Sequence, residues 1–164
     1  VQTFIKLLNQ TFVRLDLAYR IVDYQVVEIS NDEEIISIEK AMTTSDNIRT
    51  HLSHAMQHLS SRPTADYRNS IKESISAVEV LCRSITNENT LGKALNKLES
   101  NGIVFPRMLK EAFDKLYAYT NQKDTGIRHA LMDAEAAYVP SSDEAMFMLV
   151  ACSAFLNYLG KKSI

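Results

Sequence analysis

The residues whose types and spacing best suit chemistry lie in a polar stretch that ends with Gly126-Ile127-Arg128-His129. Those four residues are typical of a helix start, where free backbone N–H groups favour an anion. Arg128 offers a planar fork for a phosphate, and His129 exchanges a proton near neutral pH. We therefore predict Arg128 and His129 as catalytic residues acting on a phosphodiester, with Tyr119 and Lys123 of the preceding loop as nucleic-acid contacts.

A structural interpretation of this stretch stays open. The same residues would also suit a capped helix start, with Arg128 paired to Asp124 and Tyr117 in the core. Convergent groups must be demonstrated before a site is assigned, so residue chemistry alone favours this second interpretation.

A second cluster of charged residues lies where a long helix is predicted to begin. Such a mixture is usually a solvated helix face, but it would form a basic groove with Arg128 if the two helix starts meet. Its basic members are candidate nucleic-acid contacts: Arg62, Arg68 and Lys72.

The histidines and cysteines do not predict a metal or cofactor. His51, His54 and His58 follow one helical stripe, but no third ligand in a recognisable motif accompanies the His54–His58 pair, and zinc needs a fuller set. A half-exposed polar edge is the favoured interpretation. Cys82 and Cys152 lie within apolar stripes and are expected to be buried, reduced thiols.

The first part of the chain predicts a small α/β appendage, residues 1–44. It should contain a helix over 1–15, two short strands within 19–29, and a short helix that ends near Met42. Asp23-Tyr24 between the strands is a poor tight-turn pair, and Ser30 with Glu33 suggests a capping box for the short helix. The polar run 43–47 marks the boundary.

Residues 45–164 predict a bundle of about five or six helices, so the chain as a whole should be mainly α. Helix starts are indicated at Asp66 and Thr90, at Pro106, and at the Ser141–Glu144 capping box. The closing helix is apolar nearly all round to Leu159 and should lie at the bundle centre. The run Gly160-Lys161-Lys162 is expected to end it, with positive charge at the favourable end of the helix dipole. This apolar stretch is too short to span a bilayer.

Composition narrows the class of protein. The 164 residues carry a formal net charge of −2, with 46% hydrophobic and 23% charged residues. This balance argues against wholesale disorder and against nucleic-acid binding through bulk electrostatics, so any such contact must come from a local patch. We expect a cytoplasmic protein without a membrane partner. Because the chain begins at Val1 and not Met, we also expect an excised piece whose effector domain is missing.

Four stretches, in order, carry a resemblance to a known family: DYRNSIKESISAVEVLCR (66–83), TLGKALNKL (90–98), LYAYTNQKDTGIRHAL (116–131) and EAMFMLVACSAFLNYL (144–159). Together they resemble a HEPN-type helical domain, in particular the N-terminal AbiJ kind of bacterial abortive-infection proteins. The resemblance implies a helical bundle that often pairs into a homodimer. It also implies a metal-independent ribonuclease whose Arg and His come from an R-x(4–6)-H motif at the dimer interface.

The chain departs from that motif. Arg128 and His129 are adjacent, and the residue five positions after Arg128 is Asp133. Arg49 and His54 do have the spacing, but they lie in the first helix of the bundle.

Two hypotheses follow. The first is a defence or toxin-type protein that binds RNA or nucleotide and retains endoribonuclease activity. The alternative is a catalytically inert module for dimerisation or for docking the missing effector domain.

Overall fold

The computed structural model describes residues 1–29, 31–122, 127 and 138–162. The protein is mainly helical with one two-stranded antiparallel sheet, which confirms the predicted fold class. None of the described helices is long and apolar enough to cross a membrane. In chain order the elements are α1 (Gln2–Arg14), β1 (Arg20–Val22), β2 (Gln25–Val27), α2 (Asp32–Met42), α3 (Asp46–Ser60), α4 (Tyr67–Thr86), α5 (Leu91–Ser100), α6 (Arg107–Thr120) and α7 (Ser142–Lys162).

Helix α7 lies at the centre of the bundle, as its apolar pattern predicts. It packs against α4, α2 and α3. The residues that it buries recur at spacings of three and four and form one broad face of the helix; they include Met148, Leu149, Cys152, Phe155, Leu156 and Leu159. Helix α7 therefore supplies a large share of the common core.

An aromatic cluster joins α7 to the chain around α6. The ring of Phe155 is buried, with its centroid 3.7 Å from that of Phe113 and 5.8 Å from that of Phe105. Phe105 also meets Tyr158 edge-on, at 5.4 Å between centroids. The edge-on contact between Phe105 and Tyr158 is a preferred geometry for an aromatic pair. This cluster anchors α6, which otherwise buries little.

The β1–β2 hairpin has a two-residue loop, Asp23-Tyr24, whose residue types are not typical of a tight turn. Val22 pairs with Gln25, and both loop residues have positive φ, 45° at Asp23 and 65° at Tyr24. Non-glycine residues seldom adopt this conformation. Contacts from elsewhere hold it, because the Asp23 carboxylate pairs with Arg49 of α3 and the Tyr24 hydroxyl accepts from Gln2 of α1.

The helix boundaries agree with the predictions at several caps. Asp66 caps α4 through a 3.0 Å bond from Asn69 N–H to its carboxylate, and Ser141 caps α7 in a box with Glu144. Helix α5 ends before Gly102, whose φ is 84°.

Two boundary predictions were wrong in detail. Helix α2 is capped by the side chain of Asn31, which accepts from the N–H groups of Glu33 and Glu34, and Ser30 lies outside the described residues. Pro106 stands just before α6 and not at its first position. Helix α7 ends at Lys162, within the predicted run Gly160-Lys161-Lys162, and Gly160 is part of the helix.

The segment assigned to the appendage has two structurally different parts. Helix α2 packs against α7 and α3, and the Asn157 side-chain amide donates to the backbone oxygen of Ser37 at 2.8 Å. Helix α1 instead lies on β1, where Asn9 exchanges two hydrogen bonds with the backbone of Ile21, and it has no fully buried residue. The boundary at residue 44 stays a prediction, but α2 shares the core of the bundle.

Candidate nucleic-acid interface

The two predicted catalytic residues, Arg128 and His129, lie outside the described residues, and so does Lys123. Their roles stay predictions. Ile127, immediately before Arg128, is described and is buried in the core. The described candidates are Arg62, Arg68, Lys72 and Tyr119, and their surroundings can be stated directly.

The first turn of α4 positions Arg68. The turn forms because the Asp66 carboxylate accepts from the backbone N–H and side-chain amide of Asn69, at 3.0 and 2.6 Å. Burial acts to raise the pKa of Asp66, but the hydrogen bonds from Asn69 outweigh it and hold that pKa below its ordinary value. The carboxylate thus stays ionised and keeps the helix start in place.

Two predicted contacts, Arg68 and Tyr119, come together at Tyr138. The Arg68 guanidinium donates to the backbone oxygen of Tyr138 at 2.9 Å, across 70 positions of sequence. Tyr119, near the end of α6, has a buried hydroxyl, and burial raises its pKa to about 12, with Tyr138 and Glu144 acting in the same direction. The start of α4, the end of α6 and the approach to α7 therefore meet on one side of the bundle.

Glu144 completes this group, although sequence reasoning treated it only as a capping residue. Its carboxylate accepts from the N–H and hydroxyl of Ser141 at 2.7 and 2.6 Å. Those bonds, the Ser141 hydroxyl first, lower the pKa of Glu144, and the Tyr138 hydroxyl contributes in the same sense. The capping-box pattern of Ser141 and Glu144 could have indicated Glu144 from the sequence. No sequence pattern indicated Tyr138, because its role depends on contacts with Arg68 and Tyr119.

Arg62 lies apart from this group and is paired. It forms an ion pair with Glu28 at 3.2 Å, with both side chains more than half exposed. A cavity of about 290 Å³ adjoins it, lined also by Tyr67, Ser142 and Asp143. Exposed ion pairs contribute little to stability and exchange readily. Arg62 is therefore a weaker candidate for phosphate contact than the sequence suggested, since two acidic side chains share its cavity.

Lys72, like Arg62, is open to solvent. It lies one turn after Arg68 on α4 and is exposed, so the two side chains share one helix face. An exposed ammonium one turn from a held guanidinium is able to contact a phosphate.

The histidines lie at a polar edge between α3 and α4. The His51 Nδ1 is 2.7 Å from a Glu73 carboxylate oxygen, and His54 Nδ1 is 3.8 Å from the same oxygen. Within the described part of the chain, no group of three or more His, Cys, Asp or Glu side chains is arranged to hold a metal. His54 and Arg49, which have the R-x4-H spacing, are engaged separately: Arg49 pairs with Asp23, which raises the pKa of that guanidinium.

Both cysteines are buried free thiols, as predicted, and burial raises the pKa of each to about 12. They are thus unsuited to nucleophilic chemistry near neutral pH.

Comparison with known proteins adds no relative. No family model, no curated protein and no solved structure matches the chain. The likeness to HEPN domains thus stays a prediction from the sequence.

Proposed function

We propose that this chain is a HEPN-like domain of a bacterial defence protein that binds RNA or nucleotide through the face where α4 begins, α6 ends and the chain approaches α7. The observation that carries the proposal is the convergence of Arg68 and Tyr119 on Tyr138, with exposed Lys72 one turn along. The proposal adds Arg128 and His129, which follow Tyr119 closely in sequence.

In the catalytic form of this proposal, Arg128 holds the scissile phosphate. His129 acts as acid or base while a ribose 2′-hydroxyl attacks phosphorus and the 5′-oxygen leaves. No metal is required. Labelled single-stranded RNA incubated with the purified protein should be cleaved equally with and without EDTA, and Arg128→Ala and His129→Ala should abolish that cleavage while leaving the melting temperature unchanged.

Binding is tested separately from cleavage. Lys72→Gln should weaken RNA binding across sequences and reduce the slope of log affinity against log salt by about 1, as expected for one phosphate contact. Lys93→Gln is the matched control, since Lys93 is also exposed but lies on α5. Absence of both cleavage and binding at low salt would overturn the proposal, as would equal effects of the two lysine substitutions.

The second candidate function is an inert dimerisation module, and helix α1 favours it. Phe4, Leu7 and Leu15 expose 57–63% of their surface. They follow one helical stripe beside the side that packs on β1. A two-fold axis near the middle of this stripe would set Phe4 of one copy near Leu15 of another, burying a stripe that water now covers.

Light scattering after size exclusion tests this alternative. A dimer that Leu7→Glu dissociates, and that Val104→Glu leaves intact, would support it, because Val104 is an even more exposed apolar residue and lies outside α1. A protein that is monomeric at every concentration tested would contradict the dimerisation alternative.

A further inference from the structure

Arg20 is the one charged residue in the described part of the chain that is buried. It is 6% exposed, although arginine is almost never buried unless it is paired. Its Nη1 donates to the backbone oxygens of Leu17 and Tyr19, at 2.8 Å in each case. Its Nε has no hydrogen-bond partner among the described residues. A buried donor without a partner is costly, so a group of this kind points to a function at the site.

The nearby carboxylate of Asp32 does not supply the missing hydrogen bond. Its Oδ1 is 3.8 Å from Arg20 Nε, a distance that suits an ion pair but is too long for a hydrogen bond. The Asp32 side chain is 67% exposed, whereas that of Arg20 is 8% exposed. Asp32 is therefore free to rotate into solvent without disturbing the core, while two backbone oxygens hold the guanidinium in place.

Arg20 and Asp32 both line a cavity of about 340 Å³ between α1 and α2, beside β1. This volume is at the small end of the range for ligand pockets. Part of the lining is aliphatic and comes from all three elements: Ile5, Val13, Ile21 and Ile35. The cavity shares no lining residue with the proposed RNA face.

The burial of Arg20 distinguishes this cavity from others that also contain basic side chains. Arg49 and Arg62 line two of them, but these side chains are 54% and 57% exposed, and each donates to a carboxylate. Lys40 and Lys161, at a further cavity, are also exposed. Among these cavities of the described chain, only the one at Arg20 has a buried guanidinium with a donor that still lacks a hydrogen bond.

The charges that line this cavity balance. Lys6 and Arg20 are basic, and Asp32 and Glu39 are acidic. The two carboxylates would repel a simple anion, and the two basic groups would repel a simple cation, whereas a zwitterion is attracted by both signs. In an α-amino acid the ammonium and the carboxylate are attached to the same carbon. That arrangement suits opposite charges as close together as Arg20 and Asp32.

We propose that the cavity between α1 and α2 binds a free α-amino acid with an aliphatic side chain. The carboxylate of the ligand accepts from Arg20 Nε and takes the place of the Asp32 carboxylate there. Asp32 rotates and accepts from the ammonium of the ligand, and the aliphatic side chain packs against Ile5 and Ile35. Because α1 has no fully buried residue of its own, the ligand also fastens α1 to α2.

A ¹H–¹⁵N NMR titration of the full chain with L-leucine tests the proposal, and two analogues test the need for each charge. L-leucinamide lacks the carboxylate and resembles a peptide N-terminus, whereas N-acetyl-L-leucine lacks the ammonium and resembles a peptide C-terminus. L-leucine should shift the amides of Ile5, Ile21 and Ile35. Each analogue should bind at least about tenfold more weakly, as expected for the loss of a charge-assisted hydrogen bond.

Asp32→Asn tests the exchange of partners, with Glu33→Gln as its matched control. Both substitutions remove one negative charge from the first turn of α2, but Glu33 does not line the cavity. Asp32→Asn should weaken binding of L-leucine about tenfold. It should leave binding of N-acetyl-L-leucine unchanged or strengthen it, because the carboxylate that competes for Arg20 is gone. Glu33→Gln should alter neither affinity.

Arg20→Gln should abolish binding of L-leucine, but Arg20 also holds the backbone at Leu17 and Tyr19, so the exposed Asp32 gives the decisive comparison. The proposal would be overturned if L-leucine, L-isoleucine and L-valine all left the spectrum unchanged. It would also be overturned if either analogue bound as tightly as L-leucine, or if Asp32→Asn and Glu33→Gln had equal effects.

Discussion

Replacing Phe155 by alanine tests whether α7 is the centre of the core. The side chain is 1% exposed and packs against the rings of Phe105 and Phe113. An aromatic side chain buries about 150–250 Å², which at about 25 cal/mol per Å² corresponds to an upper bound of about 4–6 kcal/mol. Alanine keeps part of that burial, while the cavity left behind adds a cost. We expect the free energy of unfolding to fall by about 3–5 kcal/mol.

The matched control is Phe147→Ala. Phe147 is the same residue type on the same helix, but it is 58% exposed. Its replacement should change the free energy of unfolding by less than about 1 kcal/mol. Urea denaturation followed by circular dichroism measures both, and the melting temperature of Phe155→Ala should fall by about 6–20 °C for a chain of this size. Equal effects of the two substitutions would refute the placement of Phe155 in the core.

Three further predictions concern local structure. Because burial raises the pKa of Cys82 and Cys152 from 9.0 to about 12, the unfolded chain loses these protons first, and stability should decline as the pH rises from about 9 towards 12; denaturation of a Cys82→Ala/Cys152→Ala variant should show a flatter decline. Gly102→Ala should lower the free energy of unfolding by about 0.5–1 kcal/mol, because φ is 84° there, and Gly160→Ala should raise it by about the same amount. The melting temperatures of the two variants should shift in the same directions. Asn31→Ala should lower stability by about 1 kcal/mol, and an unchanged melting temperature would show that the cap of α2 contributes nothing.

Much of the fold was predictable because the spacing of apolar residues close together in the sequence indicates an amphipathic helix. The stripes of α3, α4 and α7 and the cap at Asp66 depend on residues within a few positions of one another. The sequence placed Asp23-Tyr24 between two short strands, as the structure has them. The positive φ angles of the two residues could not be predicted, because they rest on partners in α3 and α1.

The candidate site was less predictable for the same physical reason. Arg68 was identified by type, but its acceptor is 70 positions away, on a residue that the sequence did not single out. The sequence predicts Arg62 as a nucleic-acid contact, but its ion-pair partner Glu28 lies 34 positions away and could not be inferred from it. Charge in a sequence is visible residue by residue, whereas its pairing is set by tertiary structure.

The dependence of α2 on α7 has a consequence during synthesis of the chain. The hydrogen bond between Asn157 and Ser37 spans 120 positions, and the apolar side of α2, with Ile35 and Ile38, lies against elements that include α7. At about 5–20 residues per second, a ribosome takes about 6–24 s to make the intervening chain. Throughout that interval α2 is outside the reach of its native partner. A nascent chain halted before α7 should therefore recruit chaperones through α2 and stay sensitive to proteolysis there.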